Sequence, residues 1–124
     1  MSINVLQLMN AVVSDCQSLL DESAHNERVR RYIDDLLNVA QFIRDELNLY
    51  VLPDGSVEVI PISSGGSYTR TPFAKFETHI YLMKKLNGSG TIELSNEQIE
   101  RLESMDTTVK SVRKRLNEIW GLEN

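Results

Sequence analysis

Apolar residues recur at steps of three and four along two stretches in the first half of the chain. The stretches are residues 3–22 and 27–48, and a short polar segment at 21–26 separates them. This spacing is typical of amphipathic helices. Two helices joined by a short turn are expected to form an antiparallel hairpin. The apolar positions that carry the pattern are Val5, Met9, Val12, Cys16 and Leu19, then Val29, Ile33, Leu36, Ala40, Ile43 and Leu47.

The pattern changes after the second helix. Two short runs rich in branched residues, 49–52 and 57–60, flank a Pro-Asp-Gly turn at 53–55. Proline presets one backbone angle of a tight turn and glycine accepts a positive φ, so these residues predict a β-hairpin. The run at 91–94 predicts a third short strand.

The second half of the chain carries two further helix signals. Thr71 and Pro72 predict the start of a third helix, with Thr71 as its N-cap and Pro72 at its first helical position. Glycine at position 88 predicts its end. Ser95 and Gln98 form a capping-box pattern that predicts the start of a last helix. Its apolar residues recur at near-heptad spacing, which suits packing against another helix.

This order of elements predicts one α+β domain over residues 1–124. It consists of an N-terminal helical hairpin, a small antiparallel sheet and two further helices. Four helices around three short strands leave much amphipathic surface. Tyr50, Trp120 and the seam of the last helix are therefore expected to be buried in a homo-oligomer.

Charge and composition restrict the expected partners. The net charge is −5, which disfavours binding to duplex nucleic acid. The charge is uneven, because residues 63–90 carry four basic residues and one acidic residue. No apolar run approaches the roughly 20 residues that cross a bilayer, and no signal peptide is recognisable, so no membrane partner is expected. The single cysteine, Cys16, fits a reducing, cytoplasmic setting.

Catalytic patterns are not found in the sequence. His25 lies in a polar turn, His79 lies on the third predicted helix, and neither has a recognisable catalytic partner nearby in the sequence. Neighbouring acidic pairs on a helix diverge by roughly 100°, so they do not form a carboxylate dyad. We therefore expect a binding protein rather than an enzyme, with no metal site and no cofactor.

The segment SGGSYTRTPFAKFE, residues 64–77, combines features of an anion site. Glycine backbone amides can form a nest for an anion, and a following helix start adds unpaired N–H groups. Arg70 supplies a forked donor, Thr71 a hydroxyl, and Tyr68 and Phe76 faces on which a purine could stack. The alternative is a connection that leads into a capped helix whose aromatic residues belong to the core.

A second basic group lies on the last helix. Arg113 and Lys114 lie three and four residues after Lys110, so both can share a helix face with it. Such a face could hold a small dianion together with the glycine-containing segment. The alternative is that these residues bind no ligand and only stabilise the helix, because basic residues near a helix C-terminus complement the helix dipole.

The run YTRTPFAKFETHIYLMKKLNG, with TIELSNEQIE and VKSVRKRL after it, resembles the first type of phage Thoeris anti-defence protein. The resemblance covers roughly the last 75 of the 124 residues. It implies a small α+β homo-oligomer that captures a cyclic ADP-ribose isomer made by host TIR-domain enzymes and does not degrade it. Some members also hold cyclic oligonucleotides at separate sites.

The resemblance also implies roles for single residues. Basic residues of the last helix contact the pyrophosphate, a role that falls on Lys110 and Arg113 here. Tyr68, Phe76 and Tyr81 are the candidates for the aromatic residue that stacks on the base. The sequence departs from the family at Lys110 and Lys114, where a pair of arginines would match better. An arginine binds phosphate with a forked guanidinium, whereas a lysine binds it as a single point charge.

Three functions follow as expectations. The first is a phage sponge that sequesters a cyclic ADP-ribose-type nucleotide in the cytoplasm of the infected bacterium. The alternative is a non-enzymatic protein-interaction module, such as a helical phage inhibitor or an assembly adaptor, whose acidic half meets a basic partner. An enzyme acting on nucleotides is the third, and it lacks a visible base or metal set.

Overall fold

The described part of the chain folds into four α-helices. The computed structural model describes residues 4–52, 56–57 and 62–121, and for residues 62–70 it describes the backbone alone. The helices are α1, Val5–Glu22; α2, Glu27–Asn48; α3, Ile62–Gly88; and α4, Asn96–Trp120. The predictions of the first, second and last helices are confirmed, as is the end of the third.

The helices pack as a four-helix bundle in which each helix contacts two neighbours. α1 packs against α2 and α4, and α3 packs against the same two helices. Arg101 at the start of α4 pairs with Glu22 at the end of α1. Arg28 at the start of α2 donates to the carbonyl of Thr91, just beyond the end of α3. These end-to-end contacts show that neighbouring helices run antiparallel, as short connections favour.

Local sequence explains where most of the helices begin. Asn4 and Asn26 cap α1 and α2 by accepting a hydrogen bond from the backbone N–H three residues later. Ser95 and Gln98 form the predicted reciprocal capping box at the start of α4. Each cap satisfies N–H groups that have no partner within the helix.

One apolar stripe from each helix faces a single core. The predicted apolar positions of the first two helices are buried, and so are those predicted for the last helix except Ile99 and Ile119, which are half-buried. The buried apolar positions of α4 are Leu102, Met105, Val109, Val112, Leu116 and Trp120. Trp120 is 3% exposed within one chain and meets the ring of Tyr50 edge-on at 6.1 Å. The expectation that Trp120 and the α4 seam need a second subunit for burial is therefore wrong.

The predicted α+β fold is also wrong, because the described residues contain no strand and no sheet. Val51 and Val57 form one isolated antiparallel bridge, and Leu52 donates its N–H to the carbonyl of Ser56 at 2.8 Å. Leu49 and Tyr50 form a turn at the end of α2, in which the N–H of Tyr50 donates to the carbonyl of Leu47 at 2.9 Å. Hairpin positions 53–55 and 58–60 lie outside the described residues. Residues 91–94 form a connection in which the N–H of Leu94 is bonded to the side chain of Asn87. A two-stranded hairpin without a third strand or a covering helix is marginally stable.

The predicted start of the third helix is wrong as well. α3 begins at Ile62, so Pro72 lies inside the helix and Thr71 is not its N-cap. The segment with Gly65 and Gly66 therefore has helical backbone instead of forming a loop with an anion-binding nest. A proline inside a helix removes one N–H, here the one that would bond to the carbonyl of Tyr68, and its ring crowds that carbonyl.

Candidate functional site

The residues predicted to bind a ligand lie on two neighbouring helices. Tyr68, Arg70, Thr71 and Phe76 are on α3, and Lys110, Arg113 and Lys114 are on α4. The side chains of Tyr68 and Arg70 fall outside the described part of the structure. Thr71 and Lys114 are exposed.

Among the three aromatic candidates for base stacking, Phe76 and Tyr81 have described side chains. Phe76 is fully buried, with 0% of its surface exposed, and belongs to the core. A ligand cannot stack on it unless the bundle opens. Tyr81 is 60% exposed, and Lys85 Nζ lies over its ring, 5.6 Å from the ring centroid. Tyr81 is therefore the accessible aromatic on this side of the bundle.

The two basic residues of α4 that were predicted to contact phosphate both have acidic partners. Lys110 Nζ lies 3.0 Å from Asp106 Oδ2, one turn earlier on α4. Arg113 Nη1 lies 3.6 Å from Glu77 Oε1 on α3. The hydrogen bond and charge of Asp106, with a smaller contribution from Glu77, raise the pKa of Lys110. Glu77 thus influences both cations, which places Lys110 and Arg113 at one site.

The helix register keeps Arg70 apart from that site. Glu77 marks the level of Arg113, and Arg70 comes seven residues earlier on α3. At 1.5 Å per residue this separates the two backbone positions by about 10 Å along the helix. The structure therefore brings Lys110 and Arg113 together and leaves the Arg70 backbone nearer the C-terminal end of α4.

A groove of about 420 Å³ lies between α3 and α4 beside these ion pairs. Lys84 Nζ reaches Glu103 Oε1 at 3.3 Å across the helix pair. Asp106 Oδ1 is buried and has no hydrogen-bond partner among the described residues. The residues that line the groove are Glu77, Thr78, Ile80, Tyr81, Lys84, Asp106 and Lys110.

The groove carries both kinds of hydrogen-bonding group. The ammonium groups of Lys84 and Lys110 can donate to phosphate oxygens. The carboxylates of Glu77 and Asp106 can accept hydrogen bonds from hydroxyl or amino groups. A bare phosphate would meet as much negative as positive charge here. The groove therefore suits a ligand that combines phosphate with hydroxyl and aromatic groups.

Sequence reasoning identified part of this groove. It named Lys110 and considered Tyr81, but it did not assign a binding role to Lys84, Glu77 or Asp106. The spacing of Asp106 and Lys110, four residues apart on a helix, is a signal that could have found their pair. The pairing of Glu77 with Arg113 across α3 and α4 depends on the helix register, which the sequence does not display.

No group of three or more histidine, cysteine or acidic side chains within the described residues is arranged to hold a metal ion. None of the four helices, as far as they are described, is both long enough and apolar enough to cross a membrane. No protein-family model, curated protein or solved structure matches this chain.

Proposed function

We propose that this protein is a sponge that binds a cyclic adenine nucleotide of the cyclic ADP-ribose type in the α3–α4 groove and holds it without cleaving it. The ligand class comes from the resemblance to phage anti-defence proteins, whose α+β fold this chain does not share. The groove supports the proposal independently of that fold. In this role the protein would act in the cytoplasm of an infected bacterium and block host immune signalling.

The observation that carries the proposal is the exposed ring of Tyr81 in a groove that is also lined by two lysines. Lys84 is paired with Glu103, and Lys110 is paired with Asp106. Both lysine side chains are substantially exposed, and exposed ion pairs contribute at most about 1 kcal/mol. A diphosphate can therefore replace these acidic partners at small cost.

The carboxylates of Asp106 and Glu77 can then accept hydrogen bonds from the same ligand. Asp106 has one buried oxygen without a hydrogen bond in the described structure, and Glu77 lines the groove beside it. Acidic side chains accept hydrogen bonds from ribose hydroxyls in other nucleotide sites. Stacking of a base on an aromatic ring contributes about 1–3 kcal/mol where it has been measured in nucleic-acid binders. Tyr81 would supply that ring.

Isothermal titration tests the proposal with three probes: cyclic ADP-ribose isomers, a cyclic dinucleotide and inorganic phosphate. We expect binding of a cyclic adenine nucleotide and none of phosphate alone, because the groove is electrically balanced. Tyr81→Ala and Lys110→Ala should each weaken binding by about tenfold or more, by loss of a base contact or of a charged donor. Arg30→Ala is the matched control, since Arg30 is exposed on α2, away from the groove.

Mass spectrometry of the ligand distinguishes storage from turnover. We expect the nucleotide to be recovered intact after the complex is denatured by heat. Recovery of a cleaved product would replace the sponge by an enzyme. Absence of binding to every nucleotide at micromolar concentration would exclude the proposed ligand class.

A protein-interaction module is the second candidate. Exposed apolar side chains on α2, such as Phe42, favour it because they lie away from the groove. Its activity would survive Lys110→Ala and Arg113→Ala and would be lost when the outer surface of α2 is changed. The same variants therefore separate the two candidates.

A further inference from the structure

The two lysines of the α3–α4 groove have acidic partners in different surroundings. Lys84 Nζ lies 3.3 Å from Glu103 Oε1, and the side chain of Glu103 is 54% exposed. Lys110 Nζ lies 3.0 Å from Asp106 Oδ2, and the side chain of Asp106 is only 22% exposed. Both lysines are themselves well exposed, so the two pairs differ in their carboxylates.

The Asp106 carboxylate has one oxygen on each side of this boundary. Oδ1 is buried and has no hydrogen-bond partner within the described part of the chain. Oδ2 is therefore the oxygen that reaches the groove, and Lys110 pairs with it. Glu77, the other carboxylate in the groove lining, is half-buried and pairs with Arg113 at 3.6 Å.

The two partner carboxylates respond differently when a phosphate group attracts the lysines. Glu103 is exposed, so water solvates its carboxylate once Lys84 moves away, and the loss of such an exposed pair has little effect. Asp106 is largely shielded from water, and a shielded charge that loses its partner is strongly destabilising. Phosphate binding at Lys110 is therefore favourable only when the ligand also supplies a hydrogen-bond donor to Asp106.

The position of that donor restricts the ligand. Because Lys110 Nζ and Asp106 Oδ2 are 3.0 Å apart, the phosphate oxygen and the donor must be neighbouring groups of one molecule. In a ribonucleotide the sugar hydroxyls lie beside the phosphate, whereas the amino group of the base lies beyond the sugar. An ionised carboxylate only accepts hydrogen bonds, so it binds a hydroxyl and repels a further phosphate oxygen.

We infer that Asp106 determines which phosphate ligands the groove accepts, admitting a nucleotide with a free ribose hydroxyl beside its phosphate and rejecting deoxy forms and simple phosphates. This role depends on the proposed binding of a nucleotide in the groove, and it adds the selection among ligands. Lys110 exchanges Asp106 for the phosphate, and the ribose hydroxyl takes the place of Lys110 on Oδ2.

Titration with matched ligands tests this selection. The probes are the cyclic ADP-ribose isomer that binds the unchanged protein best, its singly deoxygenated forms, each lacking one ribose hydroxyl, and pyrophosphate. At least one deoxygenated form should bind about tenfold or more weakly than its parent, because Asp106 then has no donor. Pyrophosphate should not bind measurably to the unchanged protein.

Asp106→Asn removes the charge and keeps the shape of the side chain. Lys110 then leaves no unpaired charge behind when it binds phosphate. The difference between the parent ligand and the deoxygenated form should fall to about threefold or less, and pyrophosphate binding should become measurable.

Glu103→Gln is the matched control. It also releases a groove lysine from its acidic partner, but Glu103 is exposed and does not line the groove. The ratio of the two affinities should therefore stay as it is in the unchanged protein.

Three results would overturn the inference. Equal binding of the parent ligand and all its deoxygenated forms would leave the sponge in place and remove the selective role of Asp106. Loss of the ratio in Glu103→Gln as well would assign the selection to the lysines. Absence of binding of every nucleotide would refute the proposed function together with the inference. If circular dichroism shows that Asp106→Asn does not fold, the comparison of ligands on the unchanged protein decides the matter.

Discussion

Cys16 shows how one position is governed by its surroundings. The side chain is fully buried, and its Sγ lies 3.6 Å from Sδ of Met105. Burial, with a smaller contribution from the charge of Asp15, raises the pKa of the Cys16 thiol to about 12. Because the thiolate is the reactive form, the folded protein should react slowly with thiol reagents at neutral pH.

Absorbance measurement with a chromogenic disulfide reagent checks this prediction. We expect little labelling of the native protein and labelling of one thiol per chain in denaturant, since Cys16 is the only cysteine. The denatured sample is the internal control for reagent quality. Rapid, complete labelling of the native protein would contradict the burial of Cys16 in the core.

At the scale of the element, α3 contains a residue, Pro72, whose local conformational preference opposes the observed helix. Proline inside a helix costs about 3 kcal/mol relative to alanine. Pro72 is buried, so Pro72→Ala also loses some packing, and the net effect should be a gain of about 1–2 kcal/mol in the free energy of unfolding. If the helix began at Pro72, as the sequence alone predicts, the same change would be neutral or destabilising. Urea unfolding monitored by circular dichroism distinguishes the two starts.

The contrast between α3 and α4 explains which boundaries could be predicted. The start of α4 depends on Ser95 and Gln98, which satisfy each other's backbone N–H groups over three residues. That signal is entirely local, so the sequence displays it. The first part of α3, from Ile62 to Pro72, contains two glycines and a proline. These residues disfavour a helix interior, so the sequence predicts a start at Pro72 instead. The same limit applies to the site, where Lys110 was identified but its neighbour Glu77 comes from another helix.

At the scale of the whole molecule, one core joins all four helices. Trp120, the only tryptophan, is 3% exposed at the end of α4 and contacts Tyr50 beyond the end of α2. Because both ends share this core, the bundle should unfold in one cooperative step. Trp120 fluorescence and far-ultraviolet circular dichroism should therefore give the same urea midpoint. A separate, earlier fluorescence transition would mean that the α2 and α4 ends open independently.

The sequence by itself determined the existence of the helices, the apolar stripe of each and the capping box of α4, because periodicity and capping act between residues a few positions apart. It also located Lys110, one of the two lysines that line the candidate groove. Only the tertiary structure decided that residues 91–94 belong to a connection, that α3 continues through Pro72, and that Glu77 meets Arg113. Those outcomes depend on contacts between residues far apart in the chain, where the packing of four amphipathic helices outweighs short-range preference.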